Sequence, residues 1–117
     1  MAGGRKLPPT EGEKRMAHVV VMYKTPKDAA AFDKHYFETH IPIAKKIPGL
    51  RKYEISQGPV ATPRGPSGFH LIATLYFDSL AAIQAGFGSA EGKAAGADVQ
   101  KFATGGADMI LFDTREV

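Results

Sequence analysis

Phe69-His70-Leu71-Ile72-Ala73-Thr74-Leu75-Tyr76-Phe77 reads as a β-strand, rich in branched and aromatic side chains and bounded by Gly68 and by Asp78-Ser79. Side chains alternate across a strand, so Phe69, Leu71, Ala73, Leu75 and Phe77 share one face, and His70, Ile72, Thr74 and Tyr76 the other. An antiparallel sheet that shows one face to water is polar on that face. This strand is largely apolar on both, and Ala17 to Tyr23 repeats the pattern. Both faces therefore need cover.

Working outward, the chain falls into two similar halves. Ala17 to Lys24 is a strand ended by Thr25-Pro26. A helix follows with Asp28 as N-cap, and a short second piece after Pro42 stops at Pro48-Gly49. Leu50 to Gln57 alternates as a half-buried strand, with Tyr53 and Ile55 on one side and Lys52 and Glu54 on the other. Gly58 to Gly68 is a loop by composition. After the strand at 69–77, Ser79 caps a helix carrying Leu80, Ile83 and Phe87, Ser89 caps another that runs from Ala90 to Phe102, and Thr104-Gly105-Gly106 turns into a last strand, Ala107 to Thr114. The order is β-α-β-β-α-β, which predicts an α+β, ferredoxin-like fold: a four-stranded antiparallel sheet with helices on one face. In so short a chain a second copy of the sheet is what covers the other face, so the reading extends to a homodimer in the form of a dimeric α/β barrel.

Residues 1–16, rich in Gly, Pro and charge, read as a flexible arm, and residues 17–117 as a single domain. The absence of cysteine excludes disulfides, thiolate metal sites and thiol nucleophiles. No apolar run approaches the roughly 20 residues of a membrane span, and no signal-peptide core is present, so a cytoplasmic protein with no membrane partner is expected. A net charge of +3 and a pI near 9.2 invite a nucleic-acid reading. The basic residues form no stripe, however, and no strand face interleaves aromatics with Lys and Arg, so no nucleic-acid partner is expected.

The first helix carries Phe32, Tyr36 and His40 at i, i+4 and i+8, which aims an ionisable imidazole inward. Pro42 cannot donate a backbone hydrogen bond and disfavours the α region for Ile41, so a break or kink is expected beside His40, with room for a pocket. An imidazole exchanges protons near neutral pH, and a phenol donates to a developing enolate or phenolate oxygen. His40 with Tyr36 is thus the candidate catalytic pair. The plainer reading of the same pattern is a core histidine bonded at a helix end.

Several stretches resemble ethyl tert-butyl ether degradation (EthD) proteins of the dimeric α/β-barrel superfamily, from about His18 to Thr114. They are Met22-Tyr23-Lys24 followed by Pro26, the helix end Tyr36-Phe37-Glu38-Thr39-His40-Ile41-Pro42, the run Lys46-Ile47-Pro48-Gly49-Leu50-Arg51, and Ser89-Ala90-Glu91-Gly92. The resemblance implies a cytoplasmic homodimer with one cavity per subunit between helices and sheet. It matches the family's histidine to His40 and a tyrosine to Tyr36. It also implies a setting beside catabolic oxygenases, in xenobiotic breakdown. No Gly-rich dinucleotide fingerprint supports the reductase label many members carry. Related cyclases use a His and Tyr pair without cofactor. The chain resembles them in His18 and His70, while Ile83-Gln84-Ala85-Gly86-Phe87-Gly88 offers no match to their further histidine.

The expected ligand is a small apolar or aromatic metabolite, touched by Phe32, Tyr23, Tyr76, His18 and His70 and handled without cofactor by His40 and Tyr36. The rival is a non-catalytic binding or accessory protein of an oxygenase system. Tyr23 and Tyr76 fit equally as amphipathic aromatics capping the core. The strand faces taken by His18 and His70, towards cavity or partner, are open. No metal is expected: His35 and His40 are about 140° apart around an α-helix and so cannot both face one ion. Haem, held by some barrels of the superfamily, would use His40 as axial ligand. Ser56, Ser67, Ser79 and Ser89 occur in no nucleophile-elbow pattern.

Overall fold

The computed structural model describes residues 16–117. The arm read over residues 1–16 lies outside them except for Met16, whose carbonyl accepts from Thr114 N at 3.3 Å and Thr114 Oγ1 at 3.1 Å.

Strand β5 (Phe69–Phe77) is the inner strand the alternation predicts, pairing antiparallel with β1 (Ala17–Lys24) along one edge and β2 (Lys52–Ile55) along the other. With β6 (Ala107–Asp113) on the far side of β1, the order is β2-β5-β1-β6. Strand β2 is shorter than the 50–57 read from alternation. Bonds from Arg51 N to Tyr76 O (2.8 Å) and from Ser56 N to Ile72 O (2.7 Å) continue its ladder one residue each way. The 58–68 loop contains a small hairpin, β3 (Ala61–Thr62) on β4 (Gly65–Pro66), closed by Thr62 Oγ1 donating to Gly65 O at 3.0 Å.

Helices α1 (Ala29–His35), α2 (Ile41–Ala44), α3 (Leu80–Gly88) and α4 (Ala90–Phe102) cover one face of the sheet. The caps are those the sequence implies: Asp28, Ser79 and Ser89 accept from Ala31, Ala82 and Gly92 N–H, each at 3.0 Å. Gly92 lies in the first turn of α4, where any Cβ would run into the Gly86 carbonyl, so a glycine lets α3 and α4 meet at a sharp corner. Beneath the helices lie Val19, Val21 and Tyr23 of β1 and Leu71, Ala73, Leu75 and Phe77 of β5.

The opposite face carries His18, Val20 and Met22 beside Tyr76, Thr74 and Ile72 and, among the described residues, has no helix over it. Strand β6 is open on both sides. Met109 and Leu111 lie level with Val21 and Val19, Ile110 and Phe112 with Val20 and His18, and Met109 and Ile110 are 52% and 49% exposed. Among the described residues no helix is long and apolar enough to cross a membrane.

The expected break at Pro42 takes another form. Helix α1 runs on through a π-helical turn, Tyr36–His40, into α2. Ile41 N–H reaches back five residues to Tyr36 O, and Pro42, with no N–H to offer, follows inside the first turn of α2. The helix absorbs its missing donor by widening one turn rather than stopping.

Candidate functional site

The widened turn sets the side-chain geometry. Residues five apart come round to the same side in a π-turn, so His35 and His40 converge instead of diverging by 140°. Both reach one carboxylate on α4. His40 Nδ1 lies 2.9 Å from Asp98 Oδ2, and His35 Nε2 lies 3.0 Å from each Asp98 oxygen. The divergence expected from ideal α geometry is therefore corrected, for the reason that Pro42 disturbs the ladder. Among the described residues, no group of three or more His, Cys, Asp or Glu side chains could hold a metal ion.

His40 is 4% exposed, its ring 4.8 Å from Phe102 and 5.3 Å from Tyr36. That packing does not fit the haem reading, which needs an open face for a macrocycle. Burial lowers its pKa below the usual imidazole value, opposed by the bond to Asp98. Asp98 is pushed up by burial, but the bonds from His35 and His40 prevail and leave its carboxyl below the usual range. Tyr36 is fully buried and stacks on Phe32, with ring centroids 5.7 Å apart. Its hydroxyl meets that of Tyr53 at 2.7 Å. Burial first, and then the neighbouring phenol, raises the pKa of Tyr36, and burial likewise raises that of Tyr53, so both stay protonated.

The sequence-derived site residues separate into three places. Tyr36, His40, Phe32 and Tyr23 form a packed aromatic core with Phe102, in which Tyr23 contacts Phe32 and Tyr36 edge-on. His18 and Tyr76 lie together on the open face of the sheet, ring centroids 4.5 Å apart, with Tyr76 Oη donating to Glu54 at 2.7 Å. His70 stands at the border of the aromatic core, away from His18 and Tyr76. Its place in the alternation groups it with Ile72 and Tyr76, but a register shift pairs Tyr23 with Leu71 and Lys24 with Phe69, leaving His70 as a bulge residue. Bulges re-aim side chains. His70 accordingly reaches the helix layer, where Nε2 lies 2.8 Å from Asp33 Oδ1 and the ring meets Phe32 edge-on at 4.8 Å.

His70 and Asp33 border an open cleft of about 710 Å³ between α1, β5 and the β3–β4 hairpin. Phe37, Ile55, Val60 and Leu71 supply its apolar lining, and Phe37 is 52% exposed. His40 and Tyr36 are not among the lining residues. This cleft opens on Asp33 and Phe37 of α1 and the π-turn, while His40 is turned to Asp98 on α4. Sequence reading missed Asp98, Asp33 and Tyr53. Asp98 had a signal: Ala95, Asp98 and Phe102 at i, i+3 and i+7 place a carboxylate on the buried stripe of α4.

Comparison with known proteins agrees with this architecture. The EthD domain matches residues 24–106. An uncharacterised 11.0 kDa protein of Rhodococcus erythropolis, from the thcB-thcC intergenic region, is 38% identical over 102 residues, 87% of this chain and 98% of that protein. The crystal structure of an ethyl tert-butyl ether degradation family protein from Bacillus halodurans superposes with a TM-score of 0.74 at 38% identity, covering 87% of this chain and 99% of the other. A hydroxynitrile lyase from Passiflora edulis shares the fold at 14% identity, with a TM-score of 0.69 over 94% of this chain and 98% of its own. A ferredoxin-like sheet, a helix running through a π-turn to a buried histidine, and two relatives alike over nearly their whole length lead to one conclusion: the chain belongs to the EthD family.

Proposed function

We propose that this chain binds a small apolar or aromatic metabolite in the cleft bordered by His70 and Asp33, and moves a proton on it without a cofactor. The observation that carries the reading is an ionisable pair, 2.8 Å apart, at the edge of a mainly apolar cleft of about 710 Å³. Such a cleft with few polar groups suits a drug-sized apolar ligand. Asp33 accepts one ring N–H of His70 and so orients the imidazole, whose other nitrogen is then free to act on the ligand. The test is a titration of the isotopically labelled protein with 1-naphthol, a neutral aromatic probe. Saturable shifts are expected at the methyls of Ile55, Val60 and Leu71. Shifts confined to the open face of the sheet would defeat the reading.

A second reading gives the proton transfer to His40 with Tyr36. It is favoured by the bond from His40 Nδ1 to Asp98, which leaves Nε2 with no partner among the described residues. If neither histidine supports turnover, the cleft is a carrier site, in keeping with an accessory protein beside a catabolic oxygenase in the cytoplasm. In each reading a second copy of the chain covers the open face, where no helix of the described residues lies over Val20, Ile72, Ile110 and Phe112.

A further inference from the structure

Asp98 is the buried charge that the cleft does not use. It is 3% exposed, carried on α4, and its described side-chain partners are both imidazoles. An ionised carboxylate only accepts hydrogen bonds, so each ring nitrogen facing it carries the proton: Nδ1 of His40 and Nε2 of His35. Phenols stand beside this cluster: Tyr36 on the π-turn, its ring centroid 5.3 Å from that of His40, in contact with Tyr23 of β1 and Tyr53 of β2. No lysine or arginine among the described residues bonds Asp98. His35 differs from His40 in reaching solvent, with its side chain 28% exposed.

We propose that Asp98 is a positioning residue that locks His40 in its Nδ1–H tautomer, presents Nε2 as a base, and links that buried ring to the solvent-facing His35. The inference deepens the second functional reading, which takes His40 as the proton acceptor. The tautomer and the linkage are properties of the resting protein and can be read without turnover. A failed lock and a failed catalytic role are thus separate results.

The experiment uses the full chain labelled with ¹⁵N-histidine, observed through long-range proton–nitrogen correlations between pH 5 and 8. In the wild type above pH 7, His40 is expected to show a protonated Nδ1 and an unprotonated Nε2. The His35→Gln variant keeps the His40–Asp98 bond and changes a partly exposed side chain. It should retain the tautomer while raising the His40 midpoint, on the order of half a pH unit, because a neighbouring like charge is gone. In Asp98→Asn, provided its amide spectrum stays dispersed, the preference for Nδ1–H should be lost. If that variant unfolds, the wild type and His35→Gln still decide the matter. An Nε2–H tautomer in the wild type, or a His40 midpoint unmoved in His35→Gln, overturns the proposal.

Discussion

Tyr36 and Tyr53 meet hydroxyl to hydroxyl at 2.7 Å, one from the π-turn and one from strand β2. Each phenol can donate once, so one donates to the other and a single proton remains for a third group. The pair ties the helix layer to the edge strand β2 at the level of the aromatic core. Removing one hydroxyl strands the other. Tyr36→Phe should cost about 1–2 kcal/mol in denaturant unfolding, and Tyr53→Phe a similar amount. The double variant should lose less than the sum, with a coupling of about 1 kcal/mol. Strict additivity would show that the two hydroxyls do not depend on each other.

The open sheet face leads to a prediction about association. Ile72 sits on that face opposite Met22, two positions along β5 from Thr74. If a second copy covers it, the contact forms part of the folding core and the folded monomer is not a stable species. Sedimentation at micromolar concentration should return a dimer. Ile72→Lys should abolish folding along with association. A well-folded monomeric Ile72→Lys protein would remove the barrel from consideration.

Much of this architecture is written in short-range periodicity, and what is missing from the sequence is displaced register. Alternation in Phe69–Phe77 and the Asp28, Ser79 and Ser89 caps define elements through local chemistry, and the structure keeps them. The π-turn shifts every later helical side chain by part of a turn, so ideal periodicity misjudges His35 against His40. The bulge at His70 does the same on a strand, where one residue reverses the face. Pro42 signals that the helix is disturbed but not that it widens by one turn, and the bulge has no local signal. His40 and Asp98, 58 residues apart, form a contact that no local pattern encodes.

Burial of His40, and the hydrogen bonds that Asp98 accepts from His35 and His40, make stability depend on pH with a definite sign. Both groups have folded pKa values below their ordinary ones. For each, the unfolded chain binds protons more readily, so stability is greatest above the unfolded pKa and falls as pH drops through the folded one. Loss should begin below about pH 6.5, where the unfolded histidine titrates, and deepen below about pH 4 as Asp98 is protonated. His40→Gln removes the first group and should flatten the decline between pH 7 and 5, leaving the acid limb in place. Chemical denaturation across that range measures both, and an unchanged slope in the variant would free His40 of the effect.

Chemistry separates the two histidines once a ligand that turns over is in hand. His70 lines the cleft and His40 packs against Phe102 and Tyr36 outside its lining, so substitutions at the two act on different parts of the molecule. Glutamine keeps much of the volume and hydrogen bonding of histidine and loses only titration. If His70 carries the proton, His70→Gln should lower kcat by roughly 10²-fold with little change in ligand affinity, and Asp33→Asn should lower it less, since it disturbs only orientation. His40→Gln would then leave kcat within a few-fold of the wild type. If the buried pair does the chemistry, the pattern inverts, and Tyr36→Phe should cost on the order of tenfold or more by removing a donor to the developing oxyanion. A protein that only binds shows no turnover in any form. His70→Gln would then alter affinity modestly, while Val60→Asp, which puts a charge into the apolar lining, should abolish binding.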